Sequence, residues 1–233
     1  DVDDTNMEGA TITISSGYQA SEDVLALGNT GLGISVASNS SGVLTLSGSA
    51  SKANYETAFE SITYQNTNTD DPDNTNRTIT WVVSDGTANS SGVTSTITVA
   101  DVNDAPVVSD AGGTLSFSTG GSATVIDGTL TITDVDDTNM ESATITISSG
   151  YESSEDVLAF TNANGITGSW DSGTGVLTLS GTASKANYET AFESVTYQNT
   201  DTGSPDTSDR IATWLVSDGD TNSAAGVTST ISV

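Results

Sequence analysis

The sequence contains no cysteine and no histidine, and only 4 of its 233 residues are Lys or Arg. Disulfide bonds, thiol catalysis and zinc sites built from His and Cys are therefore excluded, and so is histidine-based acid–base catalysis. Binding to nucleic acid needs clustered Lys and Arg, so we expect no nucleic-acid partner. No apolar run approaches the length of a membrane span, so we expect no membrane insertion.

Against this scarcity stand 31 Asp and Glu residues, which give a formal net charge of -27. Such a charge is often typical of disorder, but here apolar residues alternate with Ser and Thr, as in residues 10–14 and 129–133. An alternation of period two predicts half-buried strands, and Gly, Asn and Asp separate them. The sequence therefore predicts an all-β protein whose charge lies in loops. Bound cations are the simplest way to offset that charge.

The chain consists of two copies of one unit. Residues 1–8 reappear letter for letter as residues 134–141, and the match continues to the last residues, where Val99 corresponds to Val233. We predict a first repeat at 1–100, lacking its N-terminal strands, and a complete second repeat at 101–233 with a linker at 101–106. Residues 101–133 are predicted to hold about three strands. Without them the first copy is expected to expose an edge and part of its core, as in a slice of a longer tandem array.

Each copy also carries one stretch with helical periodicity, at residues 53–60 and 186–193. Tyr55, Ala58 and Phe59 recur at the spacing of a helix face, which predicts a helix of one to two turns with its aromatic side chains in the core. The number and spacing of the strands predict tandem Greek-key β-sandwiches, of cadherin-like or immunoglobulin-like type, with about seven to nine strands each.

Acidic residues are concentrated in three motifs per unit. They are Asp-Val-Asn-Asp at 101–104, Asp-Val-Asp-Asp at 134–137 with its twin at 1–4, and Ser-Asp-Gly at 84–86 and 217–219. Ca²⁺ takes about six to eight oxygen ligands from carboxylates, Asn and backbone carbonyls. The motifs therefore favour Ca²⁺ as a bound cation, with solvated acidic turns as the alternative.

These motifs resemble those of a known family. Asp-Val-Asn-Asp-Ala-Pro at 101–106 resembles the interdomain linker of cadherin repeats, and residues 134–136 resemble the acidic loop that follows in the next cadherin domain. Trp-Val-Val-Ser-Asp-Gly at 81–86 resembles the strand end before the last hairpin of that family. The similarity is best to the bacterial cadherin-like repeats of giant RTX-type adhesins, and it covers essentially the whole chain.

The resemblance implies a calcium site at the domain junction. The ligands it implies are Asp101, Asn103, Asp104, Asp134, Asp136 and Asp218, together with Glu56 or Glu60 from the first copy. In the first copy, Asp1, Asp3, Asp4 and Asp85 would form half of an equivalent site. Because the linker lacks the second Asn expected between Asp104 and Ala105, one or two ions are implied rather than three.

The function that this implies is structural. Linker carboxylates repel those of the adjacent domain, and Ca²⁺ that bridges them would turn a flexible string of domains into a rod. We therefore expect a non-enzymatic, calcium-binding extender repeat of a large secreted or cell-surface bacterial adhesin, acting in cell adhesion and biofilm. Its partners would be the adjacent repeats of the same chain.

Two alternatives remain open at this stage. Trp170, predicted to lie in a Gly/Ser-rich loop at 168–173, could stack on a sugar ring of a polysaccharide or could cap the core. Alternatively, the first copy could borrow its missing strands from another copy of the protein.

Two more pairs of residues need an assignment. Arg77 and Arg210 stand alone before the Trp-bearing strand of each copy, which predicts a structural salt bridge rather than ligand recognition. Glu22-Asp23 and Glu155-Asp156 are interpreted as turn residues, with a peripheral Ca²⁺ site as the alternative.

Overall fold

The structure is a computed structural model that describes residues 4–29, 31–224 and 227–233. The chain forms two compact units, Asp1–Val102 (unit 1) and Asn103–Val233 (unit 2), and the boundary falls inside the linker at residues 101–106. Strands dominate both units, and each has one short helix, so the all-β prediction is confirmed.

Unit 1, in its described residues, has seven strands in two antiparallel sheets. Its elements are β1 (Asn6–Ser16), β2 (Asp23–Leu27), β3 (Ser35–Ser40), β4 (Val43–Ser51), α1 (Lys52–Glu60), β5 (Ile62–Asn66), β6 (Arg77–Ser84) and β7 (Val93–Ile97). The larger sheet has the order β3-β4-β1-β6-β7, and the smaller sheet pairs β2 with β5.

Unit 2 repeats this arrangement and adds strands to it. Its first elements are β8 (Val107–Ser109), β9 (Thr114–Ser116), β10 (Thr124–Val125) and β11 (Thr131–Thr133). The rest are β12 (Asn139–Ser149), β13 (Asp156–Ala159), β14 (Thr167–Asp171), β15 (Val176–Ser184), α2 (Lys185–Ser194), β16 (Thr196–Asn199), β17 (Arg210–Ser217) and β18 (Val227–Ser232). The sheets have the orders β14-β15-β12-β17-β18-β9, β10-β16-β13 and β11-β8, and β9 alone among these described strands pairs in parallel, with β18.

The sequence repeat is also a repeat of strand register. Met7 in β1 lies opposite Ala50, and Met140 in β12 lies opposite Ala183, with the same irregularity in pairing directly after each Met. The segment at 101–133 supplies β8 to β11. It forms four strands rather than the three predicted, because a turn around Asp127 divides residues 123–133 into β10 and β11.

The predicted helices are confirmed, and both begin in the same way. The side chain of Ser184 caps α2 by accepting a hydrogen bond from the Asn187 N–H at 3.3 Å, as Ser51 does for α1. The Tyr188 hydroxyl reaches back to the Gly181 carbonyl at 2.7 Å. Gly181 has φ of 137°, and a Cβ there would lie 2.3 Å from the Gly165 carbonyl oxygen, so this position requires glycine. Neither helix in the described ranges has the length and apolar character needed to cross a membrane.

The core of unit 2 is centred on Trp214. Its ring packs on Phe192 of α2 with the ring centroids 5.2 Å apart, and both side chains are fully buried. Ile145 of β12 and Leu177 and Leu179 of β15 are buried in the same core. This core anchors the strand ends that carry the acidic loops.

Candidate metal centre

Three acidic loops meet at one end of unit 2. The linker contributes Asn103, whose Nδ2 donates to Asp218 Oδ2 and to Thr221 Oγ1, each at 3.0 Å. The backbone N–H of Asp104 donates to Asp136 Oδ2 at 2.9 Å. The linker is therefore tied by side-chain hydrogen bonds to the β17–β18 loop and to the β11–β12 loop.

The β11–β12 loop is shaped by its own first carboxylate and by a lysine. Asp134 Oδ1 accepts the N–H groups of Asp136 and Asp137, at 3.3 and 2.8 Å. Lys185 Nζ, at the start of α2, donates to the carbonyl oxygens of Asp134 and Asp137 at 2.7 and 2.6 Å. Lys185 was not predicted to have this role; the available signal was that a lysine recurs at the equivalent positions 52 and 185 in a chain with only 4 Lys and Arg.

The loop brings three carboxylates together. One carboxylate oxygen from each of Asp134, Asp136 and Asp137 lies within 4.8 Å of the others. Asp134 Oδ2 and Asp136 Oδ1 are buried, and neither has a hydrogen-bond partner in the protein. A buried oxygen without a partner is costly in free energy, and such groups in native proteins need an explanation such as a bound ion or water. A cation with a preference for oxygen ligands fits both atoms.

Burial and mutual repulsion set the ionisation of this cluster. The pKa of Asp134 is raised, first because burial disfavours its charged form and further because of the neighbouring Asp136. Burial and the charges of Asp136 and Asp218 raise the pKa of Asp137. The pKa of Asp136 is lowered, chiefly by the hydrogen bond from the Asp104 N–H. A divalent cation would offset the repulsion that these shifts report.

In the β17–β18 loop, Asp218 has a carboxylate that accepts several hydrogen bonds. Its Oδ1 accepts the N–H groups of Asp220 and Thr221 at 2.7 and 2.6 Å. Burial opposes its ionisation, but hydrogen bonds from Thr221 and Asn103 outweigh burial and lower its pKa. Asp218 is therefore a fixed negative charge that is only 8% exposed.

The structure brings together part of the predicted ligand set. Asn103, Asp104, Asp134, Asp136 and Asp218 lie in the three loops of unit 2, and Asp137 joins them. Asp101 belongs to unit 1 and is exposed, with its carboxylate accepting the Val102 N–H at 2.9 Å. Its role as a ligand stays a prediction.

The predicted half-site of the first copy is described only in part. Asp1 and Asp3 lie outside the described residues. Asp85 Oδ1 accepts the N–H groups of Thr87 and Ala88 at 2.6 and 2.7 Å, which is the turn that Asp218 forms in unit 2. These bonds lower the pKa of Asp85.

Glu56 and Glu60, the glutamates predicted to complete the junction site, lie on α1 and are exposed. The counterpart of Glu56 in unit 2 is Glu189, whose Oε1 accepts the Ile132 N–H at 2.8 Å and so holds β11 against α2. Metal binding by Glu56 or Glu60 stays a prediction.

The salt-bridge prediction for the two arginines is confirmed. Arg77 pairs with Glu22, Asp23 and Asp73, and Arg210 pairs with Glu155, Asp156 and Asp206. Glu22 and Glu155 lie in turns, as predicted, whereas Asp23 and Asp156 are the first residues of β2 and β13. The carboxylates of Asp23 and Asp156 accept the backbone N–H four residues earlier and so close these turns.

Trp170 lies in a strand, and its assignment to a loop was wrong. It belongs to β14, opposite Leu177 of β15. Its half-buried ring packs edge-on against Tyr151 with the centroids 6.2 Å apart, at the margin of the core. Strand pairing with β15 overrode the Gly/Ser-rich composition that favoured a loop. Sugar binding through Trp170 stays a prediction.

Fold and site together define a class of protein: a tandem repeat of β-sandwich units with an acidic loop cluster at one end of unit 2. No family model matches the sequence. The chain is similar to halomucin of Haloquadratum walsbyi (strain DSM 16790 / HBSQ001), with 29% identity over 293 aligned positions that include 82% of this chain. It spans only 3% of the length of that relative.

A solved structure also aligns with the chain. The C-terminal domain of the Streptococcus pyogenes antigen I/II-family protein AspA matches over 97% of this chain and 85% of that chain. The TM-score is 0.30 and the identity is 8%, a similarity too distant to support an argument about function.

Proposed function

We propose that the chain is a pair of calcium-binding β-sandwich repeats that stiffen and extend a large extracellular surface protein of adhesin type. The observation that carries the proposal is the pair of buried, unpartnered oxygens, Asp134 Oδ2 and Asp136 Oδ1, in a loop that gathers three carboxylates. The repeats have a mechanical role on this proposal, and no catalytic one.

The chemistry of the donors favours Ca²⁺. The cluster offers carboxylate oxygens from the β11–β12 loop, with the buried carboxylate of Asp218 tied to the same linker. Hard oxygen ligands suit Ca²⁺, which accepts irregular geometry and six to eight ligands, whereas Mg²⁺ demands a near-ideal octahedron and gives up its water reluctantly. A loop whose geometry is set by backbone hydrogen bonds is better matched to the more adaptable ion.

The position of the cluster explains how an ion would stiffen the chain. Asp104 is tied to Asp136, and Asn103 to Asp218, so both linker residues are held by the loops that carry the carboxylates. An ion that fixes these loops also fixes the direction in which the linker enters unit 2. Carboxylate repulsion in the absence of the ion would loosen it.

The setting at a cell surface is supported by sequence similarity. Halomucin is a very long protein, since this chain matches only 3% of its length, and the similarity suggests a cell-surface or extracellular setting. An extracellular location also supplies Ca²⁺ at concentrations that saturate sites with a Kd of about 10⁻⁴ to 10⁻³ M. Secretion from a bacterium, the cadherin-like and RTX-type relationship, and roles in cell adhesion and biofilm are parts of this proposal.

Calorimetric titration tests the metal site. We expect the full chain to bind Ca²⁺ and to bind Mg²⁺ far more weakly. The variant D134N/D136N should lose the Ca²⁺ signal attributed to unit 2. The matched control is D171N/D201N, which removes the same charge from two turns whose aspartates likewise accept N–H groups two residues later. Equal loss in both variants would mean that general charge, rather than this site, binds the ion.

Small-angle scattering tests the stiffening. The full chain in Ca²⁺ should scatter as a rod, and in EDTA as a more flexible particle with a broader distance distribution. A profile that is the same in Ca²⁺ and EDTA would contradict the mechanical role even if the ion binds.

A further inference from the structure

Unit 1 leaves open a face that unit 2 covers. Six side chains that are almost completely buried in unit 2 have counterparts in unit 1 that are only half-buried. The pairs are Phe192 and Phe59, Val195 and Ile62, Tyr197 and Tyr64, Trp214 and Trp81, Val216 and Val83, and Ile231 and Ile97. The difference follows from coverage, because the residues beneath are the same or nearly so.

The open face contains two adjoining grooves. One, of about 340 Å³, is lined by Tyr55, Phe59 and Val83 among others. The second, of about 490 Å³, is lined by Phe59, Trp81, Val83 and Val93, and Val93 is 64% exposed. We call this surface the open face, and it is more apolar than a solvated sheet face needs to be.

In unit 2 the cover is the segment 103–133. β11 packs on α2 and β8 on β17, while β9 adds to the edge of β18 and β10 to the edge of β16. Phe117 from this segment packs edge-on against Tyr197 with the centroids 5.1 Å apart. The segment therefore adds strands to the sheet edges of unit 2 and packs an apolar side chain on its core.

The segment also completes a buried hydrogen-bond chain. Trp214 Nε1 donates to Ser229 Oγ at 3.0 Å, and Ser229 Oγ donates to Asp127 Oδ2 at 2.7 Å. Asp127, which the segment brings, is 5% exposed. In unit 1, Trp81 Nε1 donates to Ser95 Oγ at 2.8 Å, and Ser95 is exposed where Ser229 is buried. Ser95 is thus set to donate to a carboxylate delivered by an occupant.

We propose that the open face binds a segment of the same type as residues 107–133, joined in cis to the residues ahead of β1. Such a segment brings a Phe to Tyr64, an Asp to Ser95 and a backbone N–H to Glu56, the counterpart of Glu189. It adds strands to the edges of β5 and β7. A covalently attached strand set docks at a high effective concentration, as 103–133 does ahead of β12, whereas a swap between two copies would first have to strip unit 2 of its own cover.

A designed extension tests the proposal. A copy of residues 101–133 is fused ahead of residue 1 of the full chain, in a W170F background, so that quenching by acrylamide reports on Trp81 while Trp214 stays buried. The control extension has the same composition in scrambled order. We expect the natural extension to lower the quenching of Trp81 severalfold and the scrambled one to leave it unchanged. Equal quenching with both extensions would overturn the proposal.

A second readout does not depend on fluorescence. The Thr230 N–H donates to the Gly113 carbonyl at 3.0 Å in unit 2, and Thr96 is its counterpart in unit 1. Hydrogen exchange at the Thr96 amide should slow by about tenfold or more with the natural extension, and an unchanged rate would count against added strands. Light scattering and quenching of the unextended chain give a further check. If that chain is a dimer and its Trp81 is already protected from acrylamide, the proposal is overturned, because the occupant is then a second copy.

Discussion

Arg210 and Asp156 form a fully buried ion pair across 54 positions of the sequence, with Nε 3.1 Å from Oδ2. Tyr197 donates its hydroxyl to the same carboxylate at 2.6 Å. The pair ties the start of β17 to the start of β13, and Arg77 with Asp23 repeats it in unit 1. Each unit therefore contains one buried charge pair that fastens its two main sheets.

Removing the arginine should destabilise unit 2 strongly. In R210M the Asp156 carboxylate keeps its burial and loses its counter-charge, and we expect a loss of about 3–5 kcal/mol in the free energy of unfolding. Chemical denaturation of the full chain measures the loss. The double variant R210M/D156L should recover much of it, because both charges are then gone. A loss below about 1 kcal/mol in R210M would show that the pair is not what fastens the sheets.

We predict that Lys185 strengthens Ca²⁺ binding because it holds the β11–β12 loop in shape, and not through its charge. A nearby positive charge repels a cation, so its removal in K185M would by electrostatics alone tighten Ca²⁺ binding. We expect weaker binding instead, because Lys185 Nζ holds the carbonyls of Asp134 and Asp137 in the shape of the loop. Calorimetric titration distinguishes the two signs. K52M, the same change at the counterpart lysine of unit 1, is the control and should leave the unit 2 signal intact.

Without a bound ion, the acidic cluster of the β11–β12 loop should lower the stability of unit 2. Burial and the neighbouring Asp136 raise the pKa of Asp134, so the folded state disfavours its charge at neutral pH. We therefore expect D134N, which leaves Asp136 and its hydrogen bond from the Asp104 N–H in place, to melt at a higher temperature than the wild type in EDTA and to gain less from Ca²⁺. Scanning calorimetry measures both. A variant that melts lower in EDTA would show that the carboxylates stabilise the loop unaided.

Alkaline pH should weaken unit 1 through Tyr64. Burial, and then the hydrogen bond to Asp23, raise its pKa from 10.0 to about 12. Between these values the unfolded chain loses the phenol proton while the folded chain retains it, so the free energy of unfolding falls as pH rises. Denaturation of a W170F/W214F background, followed by Trp81 fluorescence from about pH 9 to about pH 11.5, measures the fall. Y64F should show a smaller slope, and equal slopes would assign the effect to other groups.

The strands and helices were predictable because their signal is local. Alternation at residues 10–14 falls inside β1, and the helical spacing of Tyr55 and Ala58 falls inside α1. The acidic loops were also predictable, since Asp134 and Asp136 directly follow a strand. The sequence repeat predicted that the first copy would lack the strands that residues 101–133 supply to the second, and would expose part of its core.

The contacts that give the site its shape could not be predicted in the same way. Lys185 reaches the β11–β12 loop from a helix 51 positions away from Asp134, and Asp127 reaches Ser229 across 102 positions. Such contacts depend on which strands become neighbours, and no local pattern carries that information. Trp170 was misplaced for a different reason: its partner Leu177 is close in sequence, but the Gly/Ser-rich composition of β14 masks the strand.

Thermal unfolding of the wild-type chain in Ca²⁺, Mg²⁺ and EDTA measures whether Ca²⁺ stabilises these repeats. Ca²⁺ at about a hundredfold excess over its Kd stabilises a folded unit by about 2.7 kcal/mol, which raises the midpoint of a unit of this size by roughly 10 °C. We predict that rise in Ca²⁺, and almost none in Mg²⁺, relative to EDTA. Midpoints that coincide in all three conditions would contradict the account of these repeats as calcium-stabilised.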